Sequence, residues 1–256
     1  MKKFIIKIGV VLAYSQMVGI NALANTLPIN GKTTGALSDQ YGNLFTPQGF
    51  TFAIWGLIYI LLFIFTLGIV FRPLTKLSLK VSYWFMTNAL LNSSWIWAWH
   101  YEHLLLSVCI MLGLLYSLIQ LQLLLRQSHN WQAQLWLRLP FTVYFAWITI
   151  ATIANITALL VGLGWAGFGA SAAVWTLLIL IVGIAIALSQ IIYFKQWAFA
   201  PVVLWAYWGI YSKHTSAIGF DHQYPAIILT LKIGMIVLIG CCIGLGVATW
   251  KKIQIR

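Results

Sequence analysis

Residues 88–99 read NALLNSSWIWAW. Asn88, Asn92, Trp95 and Trp99 are separated by four, three and four residues, so on a helix they form one stripe, with Trp97 pointing elsewhere. Such a stripe in apolar sequence has three readings: a membrane-interface anchor, a helix-packing device or the wall of a binding site. What surrounds it decides the fold.

The chain has 256 residues, 62% of them hydrophobic and 7% charged, and a mean hydropathy of +0.92. Soluble domains carry about 25% charged residues. This composition excludes a water-facing globule and places the chain in a lipid bilayer. The net charge of +12 does not indicate nucleic acid, because the basic residues lie in short connections between apolar runs rather than on one face. Cys109, Cys241 and Cys242 lie inside apolar runs, with no disulfide framework and no zinc spacing.

Working outward from residue 88, eight apolar spans are expected, at about 5–24, 50–71, 82–99, 104–125, 138–162, 170–190, 197–212 and 226–249. With the N-terminus inside, the inner segments hold Lys2, Lys3, Lys7, Arg72, Lys76, Lys80, Arg126, Arg138, Lys195, Lys251, Lys252 and Arg256, and all three acids, Asp39, Glu102 and Asp221, fall outside. The positive-inside rule then expects both termini in the cytoplasm, in a multi-pass protein of a bacterial inner membrane. The first span has a rival reading. MKKFIIKIGVVLAYSQMVGINALAN has a basic start, an apolar middle and Ala22-Leu23-Ala24, like a cleaved signal peptide. The loop from Asn25 to Gly49 is the longest connection, either a flexible link or a lid.

Depth brings several side chains together. Asn92 and Asn155 each lie about seven residues, roughly 10 Å, below the outer ends of the third and fifth spans. Trp55 and Tyr59 of the second span reach similar depth. This is what a shared pocket in the outer half would look like, although asparagines that bond across a helix interface, and tryptophans in an interface belt, would look alike in sequence.

LNSSW (91–95) resembles the LNxxW of the tryptophan-rich sensory proteins, the TspO/MBR family that includes the mitochondrial translocator protein. PFTVYFAWITIATIAN (140–155) and TPQGFTFAIWGLIY (46–59) are similar to that family's fifth and second spans, in the right order, with a single Pro47 where the family has a double proline. The resemblance covers residues 5–162 and implies a five-helix transmembrane bundle over 1–162, with 163–256 supplying about three additional helices. It further implies a hydrophobic pocket lined by Trp55, Tyr59, Asn92, Trp95, Trp147, Ala151 and Asn155, with residues 25–49 as a lid. The ligand implied is a porphyrin or other tetrapyrrole, or a sterol-like molecule; no cofactor is required, and family members often form homodimers. A flat macrocycle suits indole faces, and a few placed amides suit its polar edge.

Other constellations carry less. His100, Glu102 and His103, or His214 with Asp221 and His222, could face a metal; interface histidines without a ligand role are commoner. Lys232 could hold a retinal, but no acid lies in any span to serve as counter-ion. Pro201 could kink the seventh span, as in transporters. No nucleophile–base pair, metal motif or phosphate loop supports an enzyme, although light-driven porphyrin degradation would need none. The expectation is an all-α integral membrane protein that acts as a receptor or sensor for a hydrophobic ligand, with a regulatory or transport role. A permease for a lipophilic solute, or a scaffold without ligand, is the alternative. The expected partners are the bilayer and a hydrophobic small molecule, not nucleic acid.

Overall fold

The computed structural model describes residues 2–27, 29–126 and 134–254. Among them are nine α-helices: α1 (Lys2–Thr26), α2 (Thr34–Gln40), α3 (Ile54–Phe71), α4 (Lys76–His100), α5 (Leu104–Leu125), α6 (Leu139–Gly162), α7 (Ala172–Ile192), α8 (Phe199–Thr215) and α9 (Pro225–Gln254). Six helical segments are long and apolar enough to cross a membrane: Lys2–Thr26, Gly49–Phe71, Leu104–Leu125, Leu135–Gly162, Ala172–Ile192 and Pro225–Gly244. The more polar α4 and the 17-residue α8 are not among the six. Arg256, expected on the inner side, lies outside the described residues.

The chain forms two compact units, one of residues 1–43 and 52–165, the other of 44–51 and 166–256. In the first, α1 packs on α4, α4 on α5, α5 on α6, α6 on α3 and α3 back on α1, closing a ring of five. Helix α4 shows why. Its buried positions include Val81, Phe85, Asn88, Asn92, Trp95 and Trp99, a stripe of helical period that faces the ring's interior. Trp97 is 47% exposed and stacks on Tyr101. The helix starts six residues before the apolar run, because Thr75 and Ser78 form a reciprocal capping box that extends it through Lys76 and Lys80. Near the start of α1, Lys7 Nζ donates to the carbonyls of Val70 (2.7 Å) and Arg72 (3.2 Å) at the end of α3. These carbonyls have no partner within their own helix, and a lysine is a favoured one.

In the second unit, α7, α8 and α9 pack against one another. Tyr207 is fully buried and donates to the carbonyl of Leu180 at 2.7 Å. Gly183 makes room, since a Cβ there would overlap the Tyr207 hydroxyl. Pro201 does not kink α8: it is the third residue of the helix, where a missing N–H costs no intrahelical bond. Residues 44–51 lie along α8. His214 Nε2 donates to Leu44 O at 2.9 Å, Gln48 N–H donates to Gly209 O at 3.1 Å, and Trp205 Nε1 donates to Thr51 O at 2.9 Å. Only glycine fits at 209, because a Cβ there would overlap the Thr51 side chain.

Candidate ligand-binding site

The first unit contains a cavity of about 490 Å³ between α1, α2 and the start of α3. Its wall includes Asn21 and Asn25 of α1, Thr34 of α2, and Phe52, Trp55, Gly56 and Tyr59. Trp55 and Tyr59, four residues apart on α3, both line the cavity and stack on each other with centroids 5.7 Å apart and planes 20° apart. Trp147 meets Phe52 and Trp55 edge-on at 6.1 and 6.3 Å, and Tyr144 meets Trp55 at 5.8 Å. Two buried donors here have no hydrogen-bond partner: the Tyr59 hydroxyl and Trp147 Nε1. An unmade bond of this kind costs about 1–3 kcal/mol.

The sequence-predicted residues divide into two groups. Trp55 and Tyr59 line the cavity, and Trp147 packs against its wall. Asn92, Trp95 and Asn155 form hydrogen-bonded ties in the core. Asn92 Oδ1 accepts from Asn21 Nδ2 at 2.7 Å, and its Nδ2 donates to the Tyr144 hydroxyl at 2.9 Å. Trp95 Nε1 donates to Asn155 Oδ1 at 2.9 Å, and Asn155 Nδ2 donates to Ser107 Oγ at 2.9 Å. Asn88 donates to Ser117 Oγ at 2.7 Å, joining α4 to α5. Ala151 is half-buried on α6 and does not line the cavity.

Sequence reasoning missed Asn21. It is 4% exposed, bonds to Asn92 and lines the cavity. Its signal was present, a lone asparagine in an apolar span, but it falls in the stretch that also reads as a signal peptide.

The resemblance offers residues 25–49 as a lid, but not the helix and tethers found within that segment, here called the roof. Residues 29–41 contain a short helix, α2, started by Thr33, whose side chain accepts from Ala36 N–H. His100, wholly buried at the end of α4, bonds Ile29 O through Nδ1 (3.0 Å) and Thr34 Oγ1 through Nε2 (3.1 Å). A carbonyl only accepts, so Nδ1 carries the proton and, in the neutral ring, Thr34 donates to Nε2. His100 is therefore occupied as a tether. Among the described residues no three or more His, Cys, Asp or Glu side chains are placed to hold a metal.

A second clasp centres on Glu102. Its carboxylate accepts from Tyr41 OH (2.6 Å), Gln40 Nε2 (2.8 Å) and Lys32 Nζ (2.9 Å), all from the roof segment. The Tyr41 bond first, and the Lys32 bond second, hold the Glu102 carboxyl down from 4.5 to about 2. The same Tyr41–Glu102 bond pushes the Tyr41 phenol up. A carboxyl lowered by folding stabilises the clasp above its unfolded pKa and stops doing so as the pH falls through its folded one. The clasp is thus complete at pH 5 and above and is lost as pH drops from about 4.5 towards about 2. Glu102→Gln is expected to speed hydrogen exchange across residues 29–41 at pH 7, whereas wild-type protection stays constant between pH 7 and 5. Equal protection in the variant would show that the roof does not depend on this carboxylate.

An all-helical chain with six membrane-length apolar segments and a closed ring of five helices is an integral multi-pass membrane protein. A family model for TSPO-like proteins matches residues 7–244, and the chain belongs to that family. The match takes in α7, α8 and α9 as far as Gly244, well past the five-helix ring. No curated protein and no solved structure matches the chain.

Lys232 of α9 is also accounted for. Its Nζ lies 5.7 Å from the centroid of the Tyr211 ring, a cation–π contact within the second unit.

Proposed function

We propose that the chain is a membrane receptor or sensor that binds one flat hydrophobic ligand, a porphyrin or other tetrapyrrole or a sterol-like molecule, in the cavity of its first unit. The observation that carries this reading is a partnerless buried donor, the Tyr59 hydroxyl, on a residue that lines the cavity beside Trp55. A ligand with an acceptor atom on its edge would satisfy the Tyr59 hydroxyl while its face lies against the aromatic side chains of the wall. The cavity's size is within the roughly 300–1,000 Å³ of small-molecule sites. In this reading Asn92, Trp95 and Asn155 act as positioning residues. They fix Tyr144 and the helices behind the wall, and their amides are already engaged. Eight spans, counting α4 and α8, would leave both termini in the cytoplasm of a bacterial cell.

Titration of the purified protein with a porphyrin, read by tryptophan quenching, tests it. Wild type is expected to saturate. Tyr59→Phe is expected to weaken binding by about twofold to tenfold, the worth of one hydrogen bond. The variant should not lose thermal stability through lost hydrogen bonding, because the hydroxyl has no protein partner to lose. Quenching that never saturates would reject a tetrapyrrole, and vesicle uptake of a lipophilic solute would then distinguish the permease reading.

A further inference from the structure

About 120° around α4 from the asparagine stripe runs a second stripe at the same spacing. Lys76, Lys80, Tyr83 and Thr87 are separated by four, three and four residues. Lys80, Tyr83, Trp84 and Thr87, with Leu124 of α5, line a cavity of about 430 Å³ in the first unit. Tyr83 is 48% exposed, and Trp84 is steadied by an edge-on contact with Tyr116 at 6.0 Å. Among the described residues, no hydrogen bond or ion pair engages Lys80, Tyr83, Trp84 Nε1 or Thr87. Other membrane-buried threonines, such as Thr66 and Thr152, return their hydroxyls to the carbonyl four residues back; Thr87 does not.

We infer that this groove seats an anionic glycerophospholipid of the inner leaflet, its phosphate at Lys80 and one acyl chain along Trp84, Thr87 and Leu124. The inference rests on the inside orientation of the α3–α4 connection proposed above. Depth, charge and chemistry each support it. Lys80 is four residues, about 6 Å, from the inner end of α4, and Thr87 is eleven residues, about 16 Å, from it. The groove thus runs from the headgroup level to near the middle of a hydrocarbon core about 30 Å thick, the reach of one chain in one leaflet. All three acids of the chain are assigned to the outer side, so no Asp or Glu side chain is placed to neutralise Lys76 and Lys80, which leaves them open to an outside anion. A lysine ammonium at this depth can reach the phosphate plane while its stem stays on apolar surface. Tyr83 and Trp84 add interface-seeking donors beside the lysine, and the rest of the wall is apolar, matching a ligand charged at one end only.

Native mass spectrometry of the full chain tests this, with phosphatidylglycerol and phosphatidylcholine of identical chains added to detergent-solubilised protein. Wild type is expected to keep phosphatidylglycerol under activation that strips phosphatidylcholine. Lys80→Gln is expected to reduce the retained phosphatidylglycerol about fivefold, the effect of one basic residue at an anionic surface. Thr87→Trp fills the groove from an exposed position without changing charge, and is expected to reduce retention at least as much. Equal retention of the two lipids by wild type overturns the assignment. So does full retention in Lys80→Gln. Loss in Lys80→Gln with full retention in Thr87→Trp also overturns it, because that pattern is diffuse attraction without a seat. Saturable porphyrin quenching is expected to be unchanged in both variants, so failure here is distinct from failure of the ligand cavity.

Discussion

Gly56→Trp is expected to abolish saturable porphyrin binding, with affinity falling at least about 100-fold, or nearly 3 kcal/mol. Gly56 lines the cavity one residue from Trp55, and a Cβ there would meet nothing within 4 Å. An indole at this position therefore extends into space rather than into protein, so the ring of helices should keep its stability. That combination, lost binding with unchanged thermal unfolding, separates a filled site from a broken fold. Undiminished binding in Gly56→Trp would place the ligand elsewhere.

Phe65→Ala is expected to cost about 3–5 kcal/mol of stability, the range for a fully buried phenylalanine cut back to its Cβ. Phe65, Phe85 and Phe141 come from α3, α4 and α6, all fully buried. Their rings lie edge-on to one another, with centroids 5.0, 4.9 and 6.1 Å apart. They fill the ring of helices further along α3 from the Trp55–Tyr144 contact, away from the cavity, where no ligand would replace the missing volume. Thermal unfolding in detergent reads the loss, and a midpoint unchanged from wild type would contradict the packing described.

Much of this was legible in sequence, for reasons visible in individual residues. Helical period alone put Asn88, Asn92, Trp95 and Trp99 on one face and Trp97 on another, and α4 is arranged that way. What those side chains do was less legible. Periodicity shows which face is buried, but not whether a buried amide meets a ligand or another side chain. Asn92 and Asn155 each find two protein partners on other helices, between 48 and 71 residues away in the chain. The same limit hid the roof. Nothing local to Glu102 indicates that Lys32, Gln40 and Tyr41 converge on it, because the clasp exists only once α2 lies over the end of α4. Likewise the loop from Asn25 to Gly49 reads as one connection, yet Leu44, Phe45, Thr46 and Pro47 are buried in the second unit, against α8. The apolar character of Leu44 and Phe45 was the available signal, and the surrounding Gly, Asn and Thr masked it.

The most direct test of the ligand site is photo-crosslinking with a diazirine-bearing porphyrin, followed by peptide mapping. Labelling is expected on the peptides that contain residues 18–26 and 52–59, protected by excess unlabelled porphyrin and absent in Gly56→Trp. Labelling spread across the outer surface of the helices, or unaffected by excess unlabelled porphyrin, would contradict a ligand held on the Trp55–Tyr59 wall.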